Sequence, residues 1–459
     1  MTRRTLVANV VGLTPRLIGP HTPAIAALAK RGATASIGPV LPAVTASVQA
    51  TYLTGTWPDE HGIVGNGWFD RENAEVRFWR QADALVGRPR VWDIARSLDP
   101  SFTCANCFWW NAMYSRADVT ITPRPMYPAD GRKLPDVWTH PPALRQELQQ
   151  QLGQFPLFKF WGPMTSIEST RWIVSAAIEV ERRFQPSLNL VYLPHLDYGL
   201  QKHGPDLPKV EQDLREVDAE VGRLVAAADA AGVGVLLLSE YGITPVRTPV
   251  HLNRVLRDHG YLTLREELGR ELLDAAASRA FAVADHQLAH IYVRDPNDIE
   301  TVRRIIEKVT GVTSVFASDE RADIHLKHDR AGDLVALAAP DAWFTYYYWH
   351  DDAKAPDFAR TVDIHRKPGY DPAELFLDPA KSFIKPRIAA KLAARKLGMR
   401  AMLDVIPLDA TLVRGSHGLA AADDADAPLL ISGDPESLDR THYEATDVLD
   451  VILKHLRLR

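Results

Sequence analysis

The segment Pro42–Asn66 reads PAVTASVQATYLTGTWPDEHGIVGN. A short apolar run ends at Pro42, a hydroxyl residue stands at Thr45, and Ala46–Leu53 forms one amphipathic stretch stopped by Gly55. The pattern predicts that Thr45 sits where a helix begins. There, free backbone N–H groups and the positive end of the helix dipole favour an anion. Asn66 follows as a neutral amide in a Gly-flanked loop. A hydroxyl at a helix N-terminus, with an amide aimed back at it, suits attack on phosphorus and binding of the resulting oxyanion. The same local pattern also fits a threonine that is only an N-cap.

The motif P-x-x-T, then T-G, then P-x-x-H-G-I-x-x-N resembles the nucleophile region of the type I phosphodiesterase and nucleotide pyrophosphatase branch of the alkaline phosphatase superfamily. The resemblance puts Thr45 on the family nucleophile, Asn66 on its phosphate-oxygen donor, and His61-Gly62 on a structural pair. Further matches near residues 5–13, 188–205, 235–244 and 415–418 carry it through most of the chain in order. It implies an α/β fold with an alkaline-phosphatase-like, mostly parallel central sheet and helices on both faces. A small α+β lobe and an extra helical segment are added to it.

The bulk composition agrees with such a fold. A chain of 459 residues is long enough for one large α/β core and a smaller unit. Charged residues at 24% and a net charge of −5 give nucleic acid nothing to recognise. No apolar run approaches membrane-spanning length. The N-terminal apolar octet after two arginines reads as a first core strand, which favours a cytoplasmic protein over an exported one. Cys104 and Cys107 form a single C-x-x-C without a second ligand pair, and strand alternation puts them on opposite faces, so they read as buried strand cysteines.

Along the chain, Thr5–Leu13 reads as a buried strand and Thr22-Pro23 opens a helix that Gly32 closes. Residues 67–160, rich in tryptophan and proline, read as irregular around one strand at 102–108; their aromatics read mainly as packing, with some lining a cleft. Helices are expected at Ser166–Arg183 and Val210–Ala228, and buried strands at Leu188–Leu193, Val233–Leu238 and Pro428–Ser432. Residues 280–348 alternate short strands with one helix at Asn297–Thr310. The expected units are a core over 1–265, a small lobe over 266–348, an extra polar and basic segment over 349–405, and a return to the core over 406–459.

The family's metal-ligand positions are altered here. What the resemblance implies as one ligand set falls on Val11, Thr45, Glu240 and Tyr241, and the other on Asp197, Gln201 and His417. Asn9 lies near the missing first-strand acid. Valine has no donor, and Gln and Tyr are poor zinc ligands. The expectation is therefore a metal-poor site: one divalent ion, such as zinc, on Asp197, His417 and His203 or His195, or no ion at all. Without its metal, Glu240 is free to act as base on Thr45. Fixed cations would then bind phosphate, with Arg366 and Lys367 beside His365 as first candidates and Arg414 as a third; the same segment also reads as an exposed polar loop. The basic stretch Lys385–Met402 reads either as a solvated helix face or as a contact for an acidic partner or membrane surface. The function expected is hydrolysis of a phosphate ester or phosphodiester through a Thr45 nucleophile. The alternative is a non-catalytic or weakly catalytic member that binds a phosphorylated small molecule.

Overall fold

The computed structural model describes residues 2–129, 131–362, 367–397, 399 and 401–459. Its central sheet is built from β1 (Thr5–Val10), β2 (Ala33–Ile37), β3 (Cys104–Cys107), β4 (Val119–Pro123), β5 (Val137–His140), β6 (Leu188–Leu193) and β7 (Gly234–Leu238). The antiparallel sheet β8 (Ala280–Asp285), β9 (Leu288–Val293), β10 (Val312–Ala317) and β11 (Leu334–Ala338) forms the small lobe, in the order β8-β9-β11-β10. Strands β12 (Leu429–Ser432) and β13 (His442–Tyr443) complete the central sheet in the order β13-β2-β12-β7-β1-β6-β3-β4-β5. Its middle, β7-β1-β6-β3-β4, is parallel throughout. Every residue of β1, β6 and β7 is buried, which is why these segments read as mainly apolar runs rather than alternating ones, with Thr5, Asn9 and Asn189 as buried polar exceptions.

Helices α1 (Pro23–Arg31), α3 (Ile167–Phe184) and α5 (Leu207–Ala230) pack together against the sheet. Helix α2 (Thr45–Thr54) packs with the C-terminal helix Val448–His455. The short α4 (His195–His203) follows β6 directly and lies against α5. In the small lobe, α6 (Ile299–Glu307) is shorter than the helix expected there. In the extra segment α7 spans Ile384–Lys396.

Three local expectations are corrected. Helix α2 is buried on every side, not amphipathic. Val48, Tyr52 and Leu53 join the main core, while Ala46 and Ala50 pack with Leu288 and Val335 of the small lobe. The first strand stops at Val10 because the chain turns there, with the Leu13 N–H returning to the Val10 carbonyl at 3.2 Å. Residues 67–160 are more regular than expected, with a hairpin at Gly67–Asp70 and Glu75–Phe78, strands β3–β5, and helices at Val91–Leu98 and Ala143–Leu152. These elements are short and bounded by prolines and polar turns, so each gives little periodic signal. Cys104 and Cys107 are free and buried in β3. Among the described residues, no helix is long and apolar enough to cross a membrane.

Candidate active site

The carboxyl ends of β7, β1 and β6 meet the N-terminus of α2, the crevice where open α/β sheets bind ligands. Thr45, Asn66, Asp197, Gln201, Tyr241 and His417 all face one cleft there. Thr45 is the first helical residue, and the cap position belongs to Val44, which makes no side-chain cap bond. The Thr45 hydroxyl is therefore not a cap. Its Oγ1 lies 3.1 Å from the Tyr241 hydroxyl, which donates to Asp197 Oδ1 at 3.4 Å. The Gln201 amide donates to Asp197 Oδ2 at 2.7 Å. Burial pushes the Asp197 carboxyl up to about 7, against these two hydrogen bonds.

Glu240, at the end of β7, lies beneath Thr45. Its Oε1 accepts from Asn9 Nδ2 at 2.5 Å and from Gln49 Nε2 at 2.6 Å. Burial raises its carboxyl to about 8, with Gln49, Asn9 and Thr45 hydrogen bonds opposing the shift. Gln49 sits one helical turn after Thr45 and also accepts the Trp110 N–H at 2.7 Å, tying α2 to the aromatic wall.

Asn66 is held by three elements. Its Oδ1 accepts the Ala46 N–H at 3.0 Å, closing the loop on the first turn of α2. Its Nδ2 donates to Asp285 Oδ1 at 3.2 Å and to the Tyr370 hydroxyl at 3.0 Å. Burial pushes Asp285 up to about 7. The Tyr370 hydroxyl also lies 2.9 Å from His286 Nε2. The His417 ring is stacked on Tyr241 at 3.9 Å, and its Nδ1–H donates to the Ala43 carbonyl at 2.8 Å. Its Nε2 lone pair therefore faces Asp197 Oδ1, 4.0 Å away. Burial lowers His417 to about 3, and lowers His286 well below its usual value, so both rings are neutral. His61 is structural, buried with Nε2 3.0 Å from Thr51 Oγ1.

Other expected site residues are not brought together. His203 ends α4 exposed to solvent, away from the cleft that Asp197 and His417 line, because six helical residues turn it from Asp197. His195 turns to α5 instead. Arg414 is exposed and outside the cleft; Gly415 is pressed on the Leu200 carbonyl, and the chain enters the site only beyond it. Lys367 is buried in an ion pair with Glu374 at 2.6 Å, and Trp161 Nε1 donates to the same carboxylate at 3.0 Å. A pair this deep is neutralised internally, and removing one partner costs about 3–5 kcal/mol. Asp363, His365 and Arg366 lie outside the described residues. Among the described residues, the extra segment reaches the site through Val362 and Tyr370.

Sequence reading missed Gln49, Asp285, His286 and Tyr370. One signal was present. The β8–β9 hairpin closes on His286-Gln287, and His286 has φ 61°, where a two-residue turn ordinarily takes Asn-Gly. Histidine is among the residues that adopt this conformation more readily than most, so the signal is a weak one. Much of the remaining cleft is aromatic, with the Trp79 ring 4.8 Å from Trp110 and tilted to it by 43°, joined by Trp161, Phe158, Phe160 and Tyr192. Lys133 is the cation among its described lining residues.

This architecture and site define an alkaline-phosphatase-like protein. Residues 5–371 match the family model described as type I phosphodiesterase / nucleotide pyrophosphatase, and the chain belongs to that family of hydrolases. The fold is similar to murine ectonucleotide pyrophosphatase/phosphodiesterase 5, with TM-score 0.60 and 16% identity over 100% of this chain and 96% of that one. That structure is of an inactive threonine-to-alanine variant in complex with AMP. Phosphonoacetate hydrolase from Sinorhizobium meliloti 1021, in complex with phosphonoformate, matches with TM-score 0.62 and 14% identity over 99% of this chain and 96% of that one. An uncharacterised pyrophosphatase/phosphodiesterase of Schizosaccharomyces pombe is 24% identical over 230 residues, which are 49% of this chain and 41% of that relative.

The two-zinc centre that the family pattern implies does not fit these residues. Val11 offers no donor, and the Tyr241 phenol, raised by burial well above its usual value, is engaged by Thr45 and Asp197. Glu240 is saturated on one oxygen by two amides, and Gln201 turns its N–H groups to Asp197. Asp197 Oδ1 and His417 Nε2 face each other 4.0 Å apart, and Gln201 Oε1 and Glu240 Oε2 are left without a hydrogen-bond partner.

Proposed function

We propose that the protein cleaves a phosphodiester through Thr45, in a metal-poor site, with an aromatic or nucleoside group held in the cleft. The Thr45–Tyr241–Asp197 chain carries this reading. Thr45 Oγ attacks phosphorus while its proton passes to the Tyr241 oxygen and the Tyr241 proton passes to the Asp197 carboxylate. The bond to the leaving oxygen breaks, and that oxygen takes the proton from Asp197. Water then cleaves the phosphothreonine and restores the Thr45 hydroxyl. Glu240 is the second candidate base, active only above its raised pKa. Ala46 and Asn66 hold the helix N-terminus, whose dipole favours the developing negative charge.

A diester suits the site better than a monoester. A diester carries one negative charge, and a monoester near neutral pH carries nearly two. Neutral His286 and His417 supply no cation, and Lys133 alone among the described lining residues does. Arg366, outside the described residues, keeps its expected role as a phosphate contact within this proposal. The AMP and phosphonoformate complexes of the similar structures support a phosphorylated or phosphonate ligand. A screen of aryl and nucleoside diesters against monoesters, with metal analysis of the same preparation, tests the reading. Diester turnover that survives exhaustive chelation and vanishes in Thr45→Ala is the expected result. Two tightly bound zinc ions required for activity would overturn it.

The hydrogen bonds that tie Asp197 to Tyr241 and Gln201 favour a second reading, a weakly catalytic protein that binds a phosphorylated small molecule. Calorimetric binding of such a ligand without turnover would select it. The exposed basic and apolar surface of α7 and its flank, with Lys385, Arg387, Phe383 and Leu392, supports the expected contact with an anionic membrane surface. Flotation with anionic but not neutral vesicles is the expected outcome; equal absence from both removes it.

A further inference from the structure

We infer that α4 and α5 together hold a divalent transition-metal ion, zinc by donor chemistry, on His195, Asp213 and Glu216, outside the cleft. One ligand atom from each residue lies within 4.8 Å of the others, and among the described residues no other group of three such side chains does so. His195 Nε2 is 3.2 Å from Glu216 Oε2 and 3.5 Å from Asp213 Oδ1. Tetrahedral zinc with nitrogen and oxygen ligands at roughly 2.0–2.2 Å has ligand–ligand edges of about 3.3–3.5 Å. The two His195–carboxylate separations match such edges, and the third pair of ligand atoms lies within 4.8 Å.

Two independent observations point the same way. His195 is 3% exposed, and neither of its ring nitrogens has a hydrogen-bond partner, although two carboxylates stand within 3.5 Å of Nε2. Both oxygens are within ion-pair distance of Nε2 without meeting hydrogen-bond geometry. A buried, unpartnered imidazole is costly unless something occupies the space beside it.

The second observation is how the carboxylates are held. Asp213 Oδ2 packs so closely on Gly199 of α4 that a Cβ there would lie 1.8 Å from it, so the glycine is what admits the carboxylate. Glu216 Oε1 accepts from Gln212 Nε2 at 2.8 Å, which leaves Oε2 directed at His195. Such outer hydrogen bonds orient metal ligands. Asp213 and Glu216 are one helical turn apart on the same face of α5, and His195 opens α4, so the three converge from two helices. Their carboxylate side chains are 28% and 30% exposed, so water can complete the coordination. An ion here ties the start of α4, the helix that carries Asp197 and Gln201 into the cleft, to the longest helix of the core.

The test needs no substrate and so stands apart from the proposed hydrolysis. Metal-free protein is titrated with zinc by calorimetry, and with cobalt(II) followed by its visible absorption. The wild type is expected to bind at this site with an intense tetrahedral cobalt band, and zinc is expected to raise its melting temperature. Glu216→Gln and Asp213→Asn, isosteric changes at half-exposed positions, should weaken binding at least about tenfold and abolish the band. His417→Gln, which removes the cleft ligand, should leave both unchanged. A wild type that binds no zinc, variants of Asp213 and Glu216 that bind as the wild type does, or binding lost only in His417→Gln would each overturn the assignment.

Discussion

Helix α4 presents two kinds of chemistry within seven residues. On its cleft side, Asp197 is answered by an amide and a phenol, and the neighbouring Glu240 by two amides. On its α5 side, His195 meets two carboxylates with its ring nitrogens unpartnered. In the cleft, the Tyr241 phenol and the Gln201 amide stand where the family pattern has ligands, and burial raises the neighbouring carboxyls. Against α5, two carboxylates stand beside an imidazole whose ring nitrogens have no hydrogen bond, the arrangement proposed to hold a cation. Ligand-type residues alone therefore do not decide where metal belongs. Their partners do.

The contrast breaks most decisively at Thr45. Thr45→Ala is expected to lower diester turnover by several orders of magnitude, on the order of 10⁴-fold or more, while the far-ultraviolet dichroism stays unchanged. Near-normal turnover would place the chemistry elsewhere.

Next in size is the proton route. Tyr241→Phe and Asp197→Asn are expected to lower kcat by about 10²-fold each, and together by little more than either alone, as members of one relay. Wild-type kcat should rise with pH through about 7, where Asp197 loses its proton. A rise near 8 that disappears in Glu240→Gln would assign the base to Glu240 instead.

The aromatic wall should matter less. Trp110→Ala is expected to raise KM for an aryl or nucleoside diester by about tenfold with kcat nearly kept, the loss of one stacking contact. An equal effect on a dimethyl diester would argue against stacking.

The smallest expected effect is on stability. Burial raises Glu240, Asp285 and Asp371, to about 8, 7 and 7, so the folded state holds protons that the unfolded chain has lost. Their contribution is fully present below about pH 4 and is lost as pH rises through 7 to 8. Burial lowers His61, His417 and His290, to about 3, 3 and 4, which gives the opposite slope up to about pH 6.5. The two sets offset each other in mild acid. Above pH 6.5 only the carboxylates act, so the melting temperature should fall from there to pH 8.5. Asp285→Asn should flatten that decline, and an unchanged slope would show that Asp285 ionises normally.

Much of the fold was legible. The mainly apolar runs of β6 and β7 and the periodic α5 each announced themselves within one short window, and Thr45 was rightly set at a helix start. The placement of Thr45 and Asn66 on one cleft was legible because their motif is local, and the lack of a donor at Val11 follows from its side-chain type alone. It was not legible where the partner lies far along the chain. Asn66 is bound to Tyr370, 304 residues away, and Glu240 to Asn9, 231 residues away. Lys367 looked like a phosphate-binding cation because its neighbours are polar, and Glu374 took its charge inside the core.

By itself the sequence determined the long apolar strands, the periodic helices and the helix-start position of the Thr45 hydroxyl, but not the short elements of residues 67–160. Those facts depend on side-chain type and on periods of two or 3.6 residues, which are written locally. Only the tertiary structure decided which acids are saturated by amides, which imidazole is left facing two carboxylates, and which cation is neutralised. Hydrogen bonds and Coulomb forces act over a few ångströms of space, whatever the distance along the chain, and burial makes each of those pairings strong.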